Sequence, residues 1–213
     1  MISSKTDRRR ARSTNTRRQL LERSAALFAT RGFEGTSLDA LSEASGVNKA
    51  LVSYHFGGKQ GLYSEVLRSA IREGQAILEP VRNSVAPPPA RLAQFIDAMF
   101  TFTASQPTFA SLVLREEMSG GAHFEPEVMQ EFMGFFQVDR DILQDGMKQG
   151  VFRPVDPHAT HLSLIGSLVF FLVTEPLRQA VDPLPAPSVE RRAYFEHVKD
   201  LFLRGLCEKD SQP

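Results

Sequence analysis

The sequence predicts an all-α fold of about nine helices, with a small N-terminal domain followed by a larger helical domain. Apolar residues recur at helical spacing along most of the 213 residues. No segment shows the sustained alternation of apolar and polar residues that a half-buried strand requires. Glycine and proline interrupt the pattern at intervals and so separate one helix from the next. The length suits one large domain or two small ones.

The N-terminal end is basic and carries no apolar anchor. Residues 1–13 are predicted to form a flexible arm, because Arg8, Arg9, Arg10 and Arg12 lie among small polar residues. The first helix is expected to begin at residue 14 and to end at Gly32. Its inward positions are Leu20, Leu21, Ala25, Leu27 and Phe28.

Two short helices are predicted next, separated by Gly46. Thr36 or Ser37 can cap the second helix, and Asn48 can cap a third helix that runs to about His55 before Gly57. The inward positions are Leu38, Leu41 and Ala44 in the second helix, then Val47, Leu51, Val52 and Phe56 around the third. Two short helices around a glycine turn are typical of a helix-turn-helix.

The rest of the chain reads as longer helices separated by proline. One begins at Lys59 or Gln60, extends toward Leu78, and is expected to stop at Pro80. The remaining helical patterns cover about 90–105, 108–117, 125–149, 157–180 and 188–208, and the Pro-rich stretch 183–187 is predicted to be a linker.

The net charge of zero conceals a division along the chain. Residues 1–59 carry 11 Lys and Arg against 5 Asp and Glu, a net of +6. Residues 60–213 carry 14 against 20, a net of −6. A basic N-terminal part on an acidic body indicates that the N-terminal part meets a polyanion, although chance could also produce such a division.

Several classes of function are disfavoured. No stretch approaches the roughly 20 apolar residues of a membrane span, and no signal-peptide pattern opens the chain. Cys207 is the single cysteine, which excludes an internal disulfide and favours the cytoplasm. Asp156, His158 and His161 could be read as a metal cluster, but two histidines at this spacing are common, so no metal is expected. No catalytic or cofactor fingerprint is present, so neither an enzyme nor a cofactor is expected.

The stretch from Leu20 to Leu67 resembles the N-terminal DNA-binding domain of the TetR family. The matching segments are Ala26–Phe28, Gly32-Phe33, Thr36-Ser37, Ala44–Val47, Tyr54–Phe56 and Lys59–Leu62. The most diagnostic part is the unbroken run Gly46–Lys59. The resemblance implies a three-helix helix-turn-helix domain over residues 14–60 and a helical ligand-binding and dimerisation domain over residues 61–213.

The outward side chains of the third helix suit DNA. Lys49 can donate to guanine, and the small Ala50 allows close approach to a thymine methyl. The resemblance implies that Lys49, Ala50 and Ser53 read bases, although the family more often has an aromatic residue at the position of Ser53. Tyr54, His55 and Lys59 are then expected to hold the backbone of the DNA, with the alternative that Tyr54 and His55 are partly buried supports of the helix. The predicted DNA-binding residues are Thr36, Ser37, Asn48, Lys49, Ala50, Ser53, Tyr54, His55 and Lys59.

The resemblance also assigns roles to the body. The segments Arg115–Gly121 and Gly150–Asp156 are similar to several TetR branches, including the CecR-like one. The predicted ligand-binding residues are Phe95, Met99, Phe102, Leu112, Arg115, Glu116, Phe132, Phe136, Arg140, His161 and Ile165. Leu162, Ile165, Val169, Leu172, Phe195, Val198 and Phe202 are the predicted dimer interface. Aromatic rows at helical spacing can equally be core, and the two arginines can form surface ion pairs.

The sequence therefore predicts a cytoplasmic homodimer that binds a palindromic operator in double-stranded DNA and is released from it by a small-molecule effector. A repressor is the usual sense in such a family, and activation is an alternative. Two further alternatives stay open: a small-molecule-binding protein or enzyme with a vestigial helix-turn-helix, and a nonspecific DNA-binding protein. No membrane partner is expected.

Overall fold

A computed structural model describes the backbone of residues 3–180 and 190–207, and the side chains from residue 17 onward within these ranges. Ten α-helices occupy the described residues, and the all-α prediction is confirmed. In chain order they are α1 Ser3–Arg31, α2 Leu38–Ser45, α3 Lys49–Phe56, α4 Lys59–Arg82, α5 Pro88–Ser105, α6 Pro107–Met118, α7 Pro126–Lys148, α8 Pro157–Val173, α9 Glu175–Ala180 and α10 Arg191–Leu206. Over the same ranges the extended pairing is one isolated bridge between Phe152 and Cys207.

Three helix boundaries differ from the prediction. The backbone is helical from Ser3, where a flexible arm was expected, because no proline or glycine precedes Gly32; the side chains of Arg8, Arg9, Arg10 and Arg12 lie outside the described residues. Helix α4 continues through Pro80, since the turn beyond it buries Val81. The predicted helix 157–180 is divided at Thr174, which gives ten helices instead of nine. The predicted linker 183–187 lies outside the described residues.

The chain divides into two compact units. The first unit contains Met1–Ala70 together with Ser111–Val128, and the second contains Ile71–Ala110 together with Met129–Pro213. The first unit thus includes the C-terminal part of α6 and the loop that follows, beyond the predicted boundary at residue 60. No helix in the described ranges combines the length and apolar content that a membrane crossing needs.

The core of the first unit joins α1, α2 and α3 to the start of α4. Phe28 of α1, Leu41 of α2, Val52 of α3 and Leu62 of α4 are all fully buried. Arg23 of α1 donates a hydrogen bond to the carbonyl of Ala44 at 2.7 Å, which satisfies a carbonyl at the end of α2. These contacts hold α2 and α3 against α1.

The core of the second unit is rich in phenylalanine. The rings of Phe102 and Phe135 stack with centroids 5.4 Å apart, and a Cβ at Gly74 would lie 2.6 Å from the Phe135 ring. Glycine at position 74 therefore permits this close approach. Phe171 and Tyr194 stack at 4.0 Å between α8 and α10.

Candidate nucleic-acid interface

Helix α3 is placed by caps that the local sequence provides. The Asn48 side chain accepts a hydrogen bond from the Ala50 amide at 2.9 Å and so starts the helix, as predicted. The Ser37 hydroxyl accepts from the Ala40 amide at 3.1 Å and starts α2. Gly46 and Gly57 end the two helices with φ of 69° and 73°, in the left-handed region that favours glycine.

Most of α3 is open to solvent. Val52 is the buried residue of this helix, and Tyr54 is 82% exposed. The ring of His55 lies beside that of Tyr54, with centroids 5.0 Å apart. The predicted DNA-binding side chains that the structure leaves exposed are Ser37, Asn48, Lys49, Ala50, Ser53, Tyr54 and His55. We call these residues together the α3 face.

Leu51 belongs to the α3 face, although it was predicted to point inward. Its side chain is 48% exposed. An eight-residue helix has just over two turns, and packing on Val52 turns the neighbouring position outward. The sequence signal that identifies Leu51 is the shortness of the helix, since so few residues can share the inward side.

Helices α2 and α3 together carry a net negative charge, although the N-terminal region as a whole is basic. The Lys49 ammonium forms an ion pair with the Asp39 carboxylate of α2, and both side chains are exposed. Glu43 of α2 is also exposed. Residues 37–58 carry Asp39 and Glu43 against Lys49, a net of −1. The positive charge of the N-terminal region therefore lies outside the two helices of the helix-turn-helix.

Thr36 was predicted to contact DNA, and its position in the structure contradicts this prediction. Its side chain is fully buried, and its hydroxyl donates to the Gly32 carbonyl at 2.7 Å. A buried hydroxyl that is already bonded cannot meet a phosphate. Of the two candidate caps, Ser37 is the one that starts α2 and stays exposed.

Lys59 was predicted to anchor a DNA phosphate, and its side chain has partners within the protein instead. Its ammonium donates to the Phe33 carbonyl at 3.0 Å and lies 4.1 Å from the centre of the Phe33 ring. The side chain is half-buried, so its position is fixed by these contacts within the protein. Lys59 thus ties α4 to the loop before α2, where a free phosphate anchor was predicted.

Arg115 and Glu116 were predicted to bind a ligand, and the structure assigns both to the first unit. The Arg115 guanidinium donates to the carbonyls of Ala29 and Thr30 at 2.8 and 2.9 Å, at the end of α1. Both residues line a cavity of about 290 Å³ in that unit. Leu112, another predicted ligand contact, is buried in the same unit.

Glu116 organises a buried cluster that sequence reasoning missed. Its carboxylate accepts from the Tyr63 hydroxyl at 2.6 Å and from the His123 amide at 3.1 Å. The His123 ring faces Glu116 at 3.2 Å and Glu34 at 3.3 Å, and it lies against the Phe33 ring. Burial, reinforced by the bond to Glu116, raises the pKa of Tyr63 above its ordinary value. The cluster supports the loop between α1 and α2.

The other predicted ligand residues lie in the second unit and have varied surroundings. Phe95, Met99 and Phe102 are buried, while Phe132, Phe136 and Ile165 are partly exposed. A groove of about 780 Å³ in this unit is lined by none of the predicted ligand residues. Arg140 differs from the prediction, because its guanidinium is 40% exposed and bonds to the adjacent Asp141 at 3.0 Å. It belongs to the surface.

His161 has a buried acidic partner. Its Nδ1 lies 2.7 Å from the carboxylate of Asp139, which is 1% exposed. The ring of Phe136 lies edge-on to His161, with centroids 5.1 Å apart. Burial raises the pKa of Asp139, and the His161 contact acts in the opposite direction. Asp156 caps α8 by accepting from Ala159, so the metal reading of Asp156, His158 and His161 gains no support.

Part of the predicted dimer interface is interior to one chain. Leu172, Phe195 and Val198 are buried within the protomer, so no partner can reach them. Phe195 packs on Phe100 of α5, with ring centroids 4.1 Å apart, so α5 covers part of the side of α10 that was expected to meet a partner. The predicted positions that stay at least partly accessible are Leu162, Ile165, Val169 and Phe202. Phe170, Leu177 and Leu201 are also exposed.

Two family models match the chain. Residues 20–66 match the model described as bacterial regulatory proteins, tetR family. Residues 88–182 match the model described as tetracyclin repressor-like, C-terminal domain. The first match covers α2 and α3 completely.

Curated proteins and solved structures are similar to this chain over nearly its whole length. The HTH-type transcriptional regulator RutR of Escherichia coli is 28% identical, over 95% of this chain and 96% of its own length. The HTH-type transcriptional repressor NicS of Pseudomonas putida is 26% identical, over 97% of this chain and 99% of its own. The solved structure of HlyIIR, a hemolysin II transcriptional regulator, is 26% identical with a TM-score of 0.68, over 92% and 99% of the two chains.

Proposed function

The chain belongs to the TetR family of transcriptional regulators, and from this we propose that it is a homodimeric repressor released from a palindromic operator by a small molecule. The relatives are named as regulators or repressors, in line with the expectation that the chain is not an enzyme. The α3 face is the single observation that carries the proposal. An eight-residue helix is about 12 Å long and fits the major groove.

Within the α3 face, the side chains suit different parts of DNA. Lys49 and Ser53 can hydrogen-bond to base edges, and Ala50 and Leu51 can contact a thymine methyl. Tyr54 and His55, next to them at the end of the helix, can donate to phosphates. The exposed Ser37, at the start of α2, is a further phosphate contact.

A homodimer is supported by the exposed apolar residues of α8 and α10. Leu162, Gly166 and Phe170 follow one another at intervals of four residues, so they share one side of α8, and all three are exposed. Leu201 of α10 is 56% exposed. Exposed large apolar residues of this kind are typical of an interaction surface, and a second copy of the chain would cover those of both helices.

The effector is proposed to bind in the second unit near Phe136 and His161. Since Asp139 holds Nδ1 of His161, the opposite ring nitrogen is left to fix the orientation of a ligand. The phenylalanine-rich surroundings would bind its apolar part. If effector and operator favour different conformers, each weakens the binding of the other by the same factor.

The proposal is tested by selecting bound sequences from a library of random duplex DNA. The expected result is an inverted repeat whose half-site centres lie about 34–36 Å apart, or one helical turn. Preference for the recovered site over random DNA should reach roughly 10³ at fixed salt. Equal affinity for both would favour a nonspecific DNA-binding protein, and no retention of any duplex would favour a vestigial helix-turn-helix.

A further inference from the structure

We propose that the N-terminal part of α1 is a second DNA-contacting element, which binds phosphates beside the half-site that the α3 face reads. Its basic stripe consists of Lys5, Arg8, Arg9 and Arg12. The inference rests on the proposed function, because it adds a contact with the same DNA. The stripe precedes the part of the chain that matches the family model, which starts at residue 20.

The positive charge of the N-terminal region is confined to the start of α1. Residues 1–18 carry seven Lys and Arg against one Asp, a net of +6. Residues 19–59 carry four residues of each sign and are neutral. Neutralisation of phosphates supplies much of the affinity of DNA-binding proteins. The helix-turn-helix offers no net positive charge for this purpose, and the segment before it does.

The backbone of α1 places the basic residues on one side. Helix α1 is continuous from Ser3 to Arg31. Positions 5, 8, 9 and 12 are three, one and three residues apart, so they fall within about 100° of the helix circumference. Asp7, the single acidic residue of segment 1–18, falls outside that arc. The stripe is about 10 Å long, and a DNA duplex presents about six phosphate charges over that distance.

Helix stability does not explain the stripe. Like charges three or four residues apart repel one another and destabilise a helix in water. Lys5 and Arg9 are four residues apart, as are Arg8 and Arg12. A row of phosphates alongside the stripe would replace this repulsion by attraction. The pattern therefore suits a helix that lies against a polyanion.

One contact fixes where the segment leaves the first unit. The Arg17 guanidinium lies 5.5 Å from the centre of the Phe56 ring and 2.8 Å from the carboxylate of Glu65 in α4. Phe56 is the last residue of α3, directly after Tyr54 and His55, the proposed phosphate contacts. The part of α1 before Arg17 therefore starts at the end of α3 that is expected to face the DNA backbone.

A second contact orients the stripe around α1. Arg23 donates to the Ala44 carbonyl at the end of α2, so this side of α1 meets the helix-turn-helix. Position 12 lies eleven residues before Arg23, which is about three turns, and so belongs to the same side. The stripe continues this side of α1 beyond the buried Leu20 and Leu21.

The test replaces the four stripe residues together by glutamine, which removes the charge and keeps a good helix former. Fluorescence anisotropy measures binding to the duplex recovered by selection and to a scrambled duplex of equal length, over a range of salt. The fourfold variant should bind both duplexes about 10²-fold or more weakly at about 0.1 M salt, because every sequence presents phosphates. Its preference for the selected duplex should stay within about 3-fold of that of the wild type.

Arg8→Gln and Arg10→Gln form a matched pair that tests the helical register. The two arginines are two residues apart, or about 200° around a helix, so position 10 lies away from the stripe. In a dimer, Arg8→Gln removes two phosphate contacts and should reduce the log–log salt slope by about 1.8. Arg10→Gln should reduce the slope by less than half as much. Equal reductions would overturn the proposed stripe.

Preference of the wild-type protein for the selected duplex is the separate check on the proposed function. With that preference present, a fourfold variant with the affinities and salt slopes of the wild type overturns the inference, and the start of α1 is then only a solvated end of the helix. Urea denaturation midpoints of all variants should coincide with that of the wild type, because the stripe precedes the buried core.

Discussion

Tyr54 and Tyr63 are nine residues apart, and their side chains have opposite surroundings. Tyr54 is 82% exposed on α3, whereas Tyr63 is 1% exposed and bonded to Glu116. A side chain in water contributes little to folding, and a buried hydroxyl that loses its partner costs stability. Variants of the two tyrosines can therefore distinguish an effect on DNA binding from an effect on folding.

Replacing Tyr54 with alanine should affect DNA and not the fold. We expect operator affinity to fall about 10-fold or more through loss of the predicted phosphate contact. The free energy of unfolding should change by less than about 0.5 kcal/mol. Anisotropy and urea denaturation give the two quantities. Tyr63→Phe, the matched control, should lose about 1 kcal/mol of stability. Unchanged affinity in Tyr54→Ala would remove this residue from the interface.

The buried carboxyl of Asp139 predicts that the stability of the folded protein depends on pH. Because burial raises the pKa of its carboxyl, the folded protein holds this proton more tightly than the unfolded chain does. The stability from this group is complete below the unfolded pKa of about 3.9 and is lost as the pH rises through the higher folded pKa. The stability of the wild type relative to Asp139→Asn should therefore fall from acid to neutral pH.

Urea denaturation at a series of pH values measures this difference. Asp141→Asn is the control, since the Asp141 side chain is exposed and pairs with Arg140 on the surface. A difference between wild type and Asp139→Asn that is constant, or that grows with pH, would contradict the assigned direction.

At the scale of elements, the loop between α1 and α2 is held from three directions. Lys59 of α4 bonds to the Phe33 carbonyl, and the centre of the His123 ring lies 4.3 Å from that of the Phe33 ring. Arg115 of α6 bonds to carbonyls at the end of α1. The loop leads directly into α2, so these contacts fix where the helix-turn-helix begins. Glu116 is the buried centre of this support.

Glu116→Gln should destabilise the first unit. The carboxylate accepts bonds from the Tyr63 hydroxyl and from the backbone and ring of His123. An amide replaces one accepting oxygen with a donor and removes the charge, so we expect a loss of about 3 kcal/mol. The adjacent Glu117 is exposed, and Glu117→Gln should change stability by less than about 0.5 kcal/mol. Equal effects in thermal denaturation would show that the buried bonds contribute little.

At the scale of the whole molecule, we propose that the exposed side of α8 determines whether the protein forms a dimer. The double variant Leu162→Asp, Phe170→Asp places two charges where an apolar partner surface is expected. Analytical ultracentrifugation should show a monomer in place of a dimer. Operator affinity should fall as well, because two half-sites would no longer be bound together.

Val85→Asp is the matched control for the dimer variant. Val85 is fully exposed between α4 and α5, away from α8 and α10 in the sequence, and its replacement should leave the dimer intact. A double variant that sediments like the wild type would place the subunit contact elsewhere.

The sequence alone determined the helical class, the limits of α2 and α3, and the family. These depend on local chemistry: Asn48 can cap a helix that starts beside it, and Gly46 and Gly57 can take a left-handed conformation wherever the rest of the chain lies. The predicted roles of the exposed α3 residues depend on the same short segment and stay predictions.

Tertiary structure decided which polar and apolar groups are free. Arg115 bonds to Ala29 and Thr30, 86 and 85 residues earlier, and Lys59 bonds to Phe33, 26 residues earlier. Helical periodicity specifies an inward side for one helix, but it does not specify which distant carbonyl or carboxylate that side will meet. For the same reason the sequence pattern could not distinguish Phe195 and Val198, which are buried, from Leu162, which is exposed. The packing of the helices in the folded chain decided this difference.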